Sequence, residues 1–389
     1  MRRPPWRAAL AFALLSAGAF LCLGEVAVRV LALGGGSFYQ PDPILGSWHR
    51  PNARGSERGE CYASRIAMNA NGMRDVERSH ERSAGVPRVA VLGDSFMEGM
   101  QVDLHQLFTQ RLQLELASVL RVPRVEVLNF GVSGFGTVQE YWTYRERVRD
   151  FAPDLVLLAF FPGNDVTDDS PSLSGDSHRP HFRLTTDGGL EAIPFQPYSV
   201  HPAVRWLKDH FQLYGWLFKR AARIPALRHV LLHRADVPPP IATPPATAPS
   251  AAVHATASVA SHNQAEAALE QAWSVTERVV ERLRNEVQAD GHRFLMVVIP
   301  ERAALPAPSE HSRGASSVAT PRLEQLCARV ALECVFLEPA FVQACPSGGG
   351  CLDDLFLPCD GHFAPGGHAL AARATAQAIA SRGLVPETR

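Results

Sequence analysis

The sequence lacks the charge imbalance, the cysteine spacing and the serine motif that mark several common protein classes. Its formal net charge is −1, with no basic stripe, which argues against a nucleic-acid-binding protein. It has no Cys-x-x-Cys repeat, so we expect no zinc site, and we expect no other metal or cofactor. Ser133 lies beside glycines but lacks the Gly-x-Ser-x-Gly turn of α/β-hydrolases.

The N-terminus has the pattern of an export segment. Arg2, Arg3 and Arg7 precede an apolar run at residues 8–24, which continues at 26–33 beyond Glu25. Basic residues before an apolar segment stay in the cytoplasm, so we expect residues 1–35 to form an uncleaved signal-anchor that crosses the membrane. The rest of the chain would then lie in the periplasm or outside the cell. Secretion after signal cleavage is the alternative.

Cysteine usage fits an oxidising compartment. Beyond Cys22 the chain has an even number of cysteines, which suggests disulfides: Cys61, Cys327, Cys334, Cys345, Cys351 and Cys359. Two pairs could close locally, 327 with 334 and 345 with 351, and 61 with 359 would then join the two ends of the chain. Six cysteines allow fifteen arrangements, so the sequence leaves the connectivity open.

Strand and helix patterns alternate over most of the chain. Short apolar runs predict strands at residues 89–93, 125–130, 155–161, 294–299 and 334–337. Helical spacing predicts helices between them, including one capped by Thr137 that runs to about 150, one over 203–223 and a long one over 264–290. This alternation is typical of an α/β protein with a parallel sheet.

The segments divide the chain unevenly. After the signal-anchor we expect an N-terminal extension at residues 36–85 and one α/β domain at 86–389. A large insertion interrupts that domain at 170–262. Within it, residues 237–262 are rich in Pro, Ala and Thr, a composition typical of a flexible surface loop.

Three predicted strands end in groups suited to ester chemistry. Ser95 follows the first strand in Gly93-Asp94-Ser95, at the carboxyl edge where open α/β sheets bind ligands. A serine attacks an ester only with a base and oxyanion donors nearby. We expect His362 to be the base and Asp360 to orient it, since residues two apart in an extended strand share a face. The expected oxyanion donors are the N–H groups of Ser95 and Gly134 and the amide of Asn164.

Each assignment has a rival. Gly131 is the other candidate for the glycine donor, and Asp353 or Asp354 are fallback partners for His362. His368 fits a packing or helix-start residue better than a base. The histidines at 178 and 181 are scattered, so we expect them to be solvated and not to bind metal.

Four short blocks, taken in order, resemble those of the SGNH (GDSL-type) hydrolase superfamily. They are Gly93-Asp94-Ser95, Gly134 after Asn129, Gly163-Asn164-Asp165, and the terminal Asp360/His362 pair. The resemblance covers residues 89–380 apart from the insertion. It implies a flavodoxin-like three-layer α/β/α fold, metal-free acyl-ester chemistry, and these same roles for the serine, glycine, asparagine, aspartate and histidine. Many members separate the Asp and His by two residues; the single intervening Gly361 is similar to the polysaccharide acetyltransferase branch.

The resemblance leads to a function and two alternatives. We expect a membrane-anchored serine esterase acting on an acyl or acetyl ester of a glycan. The same residues would suit an O-acetyltransferase that passes the acyl group to a sugar hydroxyl. A non-catalytic scaffold for envelope polysaccharide assembly is the third possibility, although a scaffold does not need the serine, asparagine, aspartate and histidine together.

Overall fold

The computed structural model describes residues 5–30, 38–199, 201–221, 224, 259–305, 319–346 and 348–386. Most of the loop expected at 237–262 lies outside these residues. The strands are β1 Tyr39–Asp42, β2 Gly46–His49, β3 Arg54–Arg58, β4 Ala63–Ala67, β5 Arg88–Gly93, β6 Glu126–Asn129, β7 Leu155–Phe160, β8 His181–Leu184, β9 Leu190–Ile193, β10 Arg293–Val298 and β11 Cys334–Phe336.

The helices include one long N-terminal helix and another long one after the insertion. They are α1 Pro5–Val30, α2 Ser95–Glu98, α3 Phe108–Val119, α4 Thr137–Thr143, α5 Asp165–Asp168, α6 Pro171–Ser174, α7 Pro202–His210, α8 Gln212–Ala221, α9 Val259–Ala289, α10 Ala319–Arg329, α11 Glu338–Ala344, α12 Leu352–Leu355 and α13 Pro365–Ser381. Single turns of 3-10 or π helix occur at Leu104–Gln106, Tyr144–Val148, Arg149–Phe151, Arg302–Ala304 and Gly349–Cys351.

A five-stranded parallel sheet forms the centre, in the order β11-β10-β7-β5-β6. Counted along the chain, these strands follow the order 2-1-3-4-5 of flavodoxin-like folds. The α/β, flavodoxin-like prediction is therefore confirmed. In this order the strand sequence reverses between β5 and β7, and ligands bind beyond the carboxyl ends of strands at such a point.

Both faces of the sheet are covered, which makes three layers. Successive strand residues point to opposite faces, so Val89 and Val91 pack on one side while Ala90 and Leu92 pack on the other. Helices α3, α11 and α13 cover the first face. Helices α4, α9 and α10 cover the second. Strands buried on both sides explain the nearly continuous apolar runs in the sequence.

Three two-stranded antiparallel hairpins flank the central sheet: β1 with β2, β3 with β4, and β8 with β9. The sequence indicated only β4, as an edge strand. Trp48 on β2 is buried, and its indole N–H donates to the carbonyl of Asn71 at 3.1 Å. Hairpins β1–β2 and β8–β9 therefore add side chains such as Trp48 and Phe182 to the core on the face covered by α4 and α9.

Some predicted helices have different limits. The helix expected over 203–223 is two helices, α7 and α8, which meet at Phe211 in an extended conformation. Helix α9 begins five residues earlier than expected. Thr137 is not a cap: Gly136 occupies that position, and the Asp169 carboxylate accepts from the Val138 N–H at 2.8 Å. A carboxylate supplied from another element has taken the role assigned to the local side chain.

Three disulfides are present, in the pairs that the cysteine spacing suggested. They join Cys61 to Cys359, Cys327 to Cys334, and Cys345 to Cys351. The first closes a sequence separation of 298 residues. It fastens the hairpin β3–β4 region to the turn that carries Asp360.

Candidate functional site

Strand β5 delivers Ser95 to the carboxyl edge of the sheet. The strand is fully buried, and Asp94 ends it by accepting from the Phe96 N–H at 2.9 Å, as an N-cap of the short helix α2. Gly93 permits the tight turn, because a Cβ there would lie 2.4 Å from Cγ of Met97. Ser95 is the first residue of α2 and is only 6% exposed.

The structure brings His362 to Ser95 across most of the chain. The His362 Nε2 lies 2.8 Å from the Ser95 Oγ, and the His362 side chain is buried at 4% exposure. The imidazole packs against Phe96 with ring centroids 4.9 Å apart, so its orientation is fixed by packing. Hydrogen-bond distance is what a general base needs to take the serine proton.

Asp360 lies on the other side of the imidazole. Its Oδ2 is 3.4 Å from Nδ1 of His362, and its Oδ1 accepts from the His362 backbone N–H at 3.1 Å. The Nδ1 distance is longer than an ordinary hydrogen bond, and such contacts often shorten when substrate binds. A proton held on Nδ1 by this carboxylate leaves Nε2 free to accept the Ser95 O–H.

The local conformation of this pair differs from the expectation. Asp360 and His362 are not in an extended strand: Gly361 has φ of +76°, and its N–H donates to the Leu357 carbonyl at 2.9 Å. The contact arises from a tight turn that needs glycine in the left-handed region. The prediction that Asp360 and His362 share one face of an extended strand is therefore wrong, although the two side chains do meet.

The charge on Asp360 is stabilised by its partner. Burial alone would raise the pKa of Asp360, but the hydrogen bonds and charge of His362 outweigh it and leave that pKa below its usual value. The fallback partners are placed elsewhere: Asp353 and Asp354 are exposed on α12, where Asp353 pairs with Arg302. Asp360 is the carboxylate that reaches the imidazole.

His368 is buried at the start of α13 and packs edge-on against Phe363. Burial lowers the pKa of His368 to about 3, so the imidazole stays neutral at physiological pH. His178 is exposed and bonded to the Gln196 carbonyl, whereas His181 is buried, contrary to the expectation that both would be solvated. Among the described ranges, no three His, Cys, Asp or Glu side chains form a group able to hold a metal ion.

The backbone amides of Ser95 and Gly134 are the two predicted oxyanion donors from the main chain. Within the part of the chain that the structure describes, neither the Ser95 nor the Gly134 N–H has a protein acceptor. Gly134 has φ of +73°, which favours glycine. The rival Gly131 has its N–H engaged at 3.0 Å by Oδ1 of Asn129, and a Cβ there would lie 2.5 Å from Cβ of Met97. Gly131 is thus a packing glycine.

Asn164 lies just before α5, and its side-chain amide already makes one hydrogen bond. One Nδ2 hydrogen donates to Asp168 at 2.9 Å, and the other remains for a ligand. Asp168 also binds Arg179, whose guanidinium donates to the Gly134 carbonyl at 2.8 Å. Asn164 and the Gly134 loop are therefore joined through Asp168 and Arg179, two residues that the sequence did not indicate.

A second buried group holds the Gly134 loop to the nucleophile helix. Glu98, on α2, is fully buried and accepts from the Ser133 N–H at 2.9 Å and from the Ser133 hydroxyl. Its other oxygen binds the Tyr39 hydroxyl and Nε2 of His49, both at 2.6 Å. Burial would raise the pKa of Glu98, but the hydrogen bond and charge of His49 lower it instead. This network ties the hairpin β1–β2 to the site.

Acidic side chains accumulate behind Ser95. Asp94, Glu140, Asp165 and Asp169 are all buried. Burial raises the pKa of Asp94 and of Asp169 to about 7 each, and burial with the neighbouring carboxylates raises the pKa values of Glu140 and Asp165 well above the usual range. Burial without a neighbouring cation disfavours the ionised form of Glu140, which is the direction of its pKa shift.

Comparison with known proteins supports the resemblance. The family model described as the SGNH hydrolase-like domain of acetyltransferase AlgX matches residues 257–388, about a third of the chain. The matched region contains α9, strands β10 and β11 and the Asp360/His362 turn. The resemblance to SGNH hydrolases is thereby confirmed. No curated protein sequence matches this chain.

Several solved structures are similar to it at low identity. A lipase/acylhydrolase from Enterococcus faecalis is 11% identical, with a TM-score of 0.38, 78% of this chain covered and 100% of that one. Axe2, an acetylxylan esterase from Geobacillus stearothermophilus, is 12% identical, with a TM-score of 0.39 and coverage of 75% and 94%. The acetyl xylan esterase AlAXEase is 12% identical, with a TM-score of 0.39 and coverage of 75% and 99%. At such values the similarity carries no information on the substrate of this chain.

Proposed function

We propose that this chain is a serine-dependent ester hydrolase that works through an acyl-enzyme. The observation that carries the proposal is the 2.8 Å approach of Nε2 of His362 to the buried Ser95 hydroxyl. Ser95 is the nucleophile and His362 the general base. Asp360 orients the imidazole and stabilises its protonated form.

The reaction follows from these positions in two steps. The Ser95 oxygen attacks the ester carbonyl while His362 takes the proton, and the resulting oxyanion is held by the N–H groups of Ser95 and Gly134 and by Asn164 Nδ2. The imidazolium then protonates the departing alcohol, which leaves acyl-Ser95. Water, deprotonated by His362, releases the acid and restores the serine.

For the substrate we propose an acyl ester of a glycan, with acetyl as the acyl group. The rival outcome is transfer of the acyl group from Ser95 to a sugar hydroxyl in place of water. One observation favours this rival: the matching family model describes an acetyltransferase. Both outcomes share the acyl-enzyme and differ only in the acceptor.

We further propose that the enzyme acts outside the cytoplasm, held by α1. Within α1, Ala9–Val30 is long and apolar enough to cross a membrane, and 6% of its most apolar stretch is buried against the rest of the chain. The three disulfides agree with an oxidising compartment. Release after signal cleavage would leave the site unchanged.

The nucleophile assignment is tested by covalent labelling and turnover. The full chain in detergent is treated with a fluorophosphonate probe and assayed with p-nitrophenyl acetate. Ser95→Ala should abolish labelling, and both Ser95→Ala and His362→Ala should lower turnover by at least about 10³-fold. Ser381→Ala, at an exposed helix end, is the matched control and should behave as wild type. Turnover equal to that of wild type in both Ser95→Ala and His362→Ala would refute the proposal.

The acceptor is tested separately. The enzyme is incubated with an acetyl-ester donor in the presence and absence of an oligosaccharide, and the products are identified by mass spectrometry. Free acetate without acetylated sugar supports hydrolysis. Acetylated sugar that disappears in Ser95→Ala supports transfer. Neither product, with no labelling of Ser95, is the outcome for a scaffold.

A further inference from the structure

Helices α7 and α8 form an apolar and basic pair outside the central domain. Residues 202–224 contain five aromatic side chains, Trp206, Phe211, Tyr214, Trp216 and Phe218. The same stretch has five basic residues against the single acid Asp209. Tryptophan and tyrosine with arginine and lysine are the composition of segments that lie at a membrane–water interface.

This helix pair is fastened to the end of α1. The Glu25 carboxylate accepts from the backbone N–H groups of Gln212 and Leu213, at 3.0 and 2.8 Å, and so caps the first turn of α8. The Arg29 guanidinium donates to the His210 carbonyl at 2.9 Å, at the last turn of α7. These bonds come from both sides of the α7–α8 junction and fix it against one end of the apolar helix.

The attachment point sets the depth of the pair relative to a bilayer. Ala9–Val30 has 22 residues. At about 1.5 Å per residue it spans about 33 Å, slightly more than the roughly 30 Å hydrocarbon core. Glu25 and Arg29 occupy its last turns, so their polar bonds to α7 and α8 lie where hydrocarbon gives way to headgroups. The pair therefore begins at the membrane surface.

One row of side chains on α8 points to the same conclusion. Leu213 lies against α1, where a Cβ on Gly24 would come 3.0 Å from its Cδ2. Leu217 is one turn further along that helix and is 50% exposed. Trp206 and Phe211, which pack on each other with centroids 5.5 Å apart, are 53% and 39% exposed. Beyond the contact with α1, the described part of this helix pair thus exposes large apolar side chains.

We propose that α7 and α8 lie flat on the outer face of the bilayer, with their apolar side chains among the acyl chains and their basic residues against anionic phospholipid headgroups. This inference rests on the proposed anchoring by α1. It assigns the first half of the chain between β9 and α9 to membrane contact. The active-site domain would be held at a fixed height and orientation above the membrane.

The test measures the lipid exposure of single labelled positions in the full chain. In a Cys22→Ser background, an environment-sensitive nitrobenzoxadiazole label is placed on Leu217→Cys. Leu114→Cys, at an exposed position of α3, is the matched aqueous control, and Leu14→Cys, within α1, is the lipid control. The protein is reconstituted in nanodiscs of phosphatidylcholine and phosphatidylglycerol, with and without doxyl-labelled lipid.

We expect doxyl lipid to quench the label at 217 at least about twofold more strongly than the label at 114, with a blue-shifted emission at 217. A label at 217 that behaves like the one at 114 overturns the inference. A label at 217 that is shielded both from doxyl lipid and from a water-soluble quencher also overturns the inference, because a second protein chain would then cover this position. Quenching at 14 separates the two proposals: if 14 is quenched and 217 is not, the anchor stands and the surface contact fails.

Discussion

At the scale of single residues, the proposed mechanism distinguishes side chains that would touch the reacting ester from side chains that only position them. Asp360 contacts His362 and not the ester, so its effect should appear in turnover. Asp360→Asn keeps the size and removes the charge that stabilises the imidazolium. We expect kcat to fall by between about 10²- and 10⁴-fold with KM changed little. Steady-state kinetics on p-nitrophenyl acetate measure this.

Asp353→Asn is the control for that prediction, because Asp353 is exposed and pairs with Arg302 instead. It should leave kcat within about twofold of wild type. If the two variants lost activity equally, or neither lost any, Asp360 would not be the orienting acid.

Arg179 is the positioning residue that the structure adds. It joins the Gly134 carbonyl to Asp168, which holds Asn164, so its loss would free both of these proposed oxyanion donors at once. Arg179→Ala should lower kcat by about 10- to 100-fold, because small displacements of reacting groups are costly. Arg179→Lys should restore only part of this, since it offers one point charge in place of a planar fork.

The matched control, Arg183, lies four residues further along the chain on β8. Arg183→Ala removes an exposed arginine whose ion pair is with Glu191, far from Gly134 in the sequence, and it should have no effect on kcat. Equal melting temperatures for the three variants would show that the change in kcat is local. A kcat of Arg179→Ala equal to that of wild type would contradict the positioning role.

The sequence could locate the residues that we propose perform the chemistry but not those that hold them. Ser95, Gly134 and Asn164 follow predicted strands, and parallel strands end at one edge, so pattern and chemistry together indicate them. Glu98 and Arg179 act through tertiary contacts with segments far away in sequence. No local spacing signals that Glu98 will meet His49 or that Arg179 will reach Gly134.

At the scale of elements, the turn that carries Asp360 and His362 depends on a covalent tie. Cys359 precedes Asp360 and is joined to Cys61 in the β3–β4 region, at a sequence separation of 298 residues. Removing the pair with Cys61→Ser and Cys359→Ser should lower the free energy of unfolding by roughly 2–5 kcal/mol. It should also lower kcat, because the turn is less restrained. Calorimetry and kinetics on the same preparation measure both.

The pair Cys345–Cys351 provides the comparison, since it closes a separation of only six residues. Its removal should cost less stability, because a short loop restricts the unfolded chain less. A larger loss for this pair than for Cys61–Cys359 would contradict the entropic argument.

The ends of a helix could be predicted from the sequence where a nearby residue sets them. They could not be predicted where a group distant in sequence sets them. Gly291, with φ of +85°, follows α9 as its sequence indicated. The start of α4 depends on Asp169, and the break at Phe211 coincides with the bonds from Glu25 and Arg29. The hairpins β1–β2 and β8–β9 are short, and their residues do not alternate clearly between apolar and polar.

At the scale of the whole molecule, the buried acids make stability depend on pH. The pKa of Asp169 rises from its ordinary 3.8 to about 7 because the side chain is buried. The unfolded chain ionises first, so the folded state is disfavoured increasingly from about pH 4 to pH 7, and the full effect is present above that. Asp169→Asn keeps one acceptor oxygen for the Val138 N–H and offers an NH2 donor to the Thr276 hydroxyl, but it removes the titration.

We therefore expect the melting temperature of Asp169→Asn to exceed that of wild type at pH 8. This gain over wild type should be larger at pH 8 than at pH 5 by about 2–4 °C or more. Differential scanning calorimetry at the two values measures it. Glu266→Gln, an exposed change on α9, should show no such dependence. A difference for Asp169→Asn that is the same at both pH values, or larger at pH 5, would contradict this direction of the pH dependence.

The fold as a whole followed from the sequence more fully than its parts. Five apolar runs alternating with helical spacing define a parallel sheet, and the motif order implies the flavodoxin-like arrangement. The same pattern says nothing about how the insertion contacts α1, since Glu25 meets Gln212 only after folding. Local patterns predict the parallel sheet, and the family resemblance implies its layers and strand order, whereas long-range polar contacts hold the site and helices α7 and α8.

The central claim is that the acyl group is carried on Ser95, and mass spectrometry of the trapped intermediate tests it most directly. The full chain is mixed with an acetyl-ester donor, quenched in acid during turnover and digested. We predict an acetyl increment on the peptide that contains Ser95, absent from Ser95→Ala and unable to form in His362→Ala. Turnover with no adduct on Ser95, or with the acetyl group on another side chain, would contradict the account.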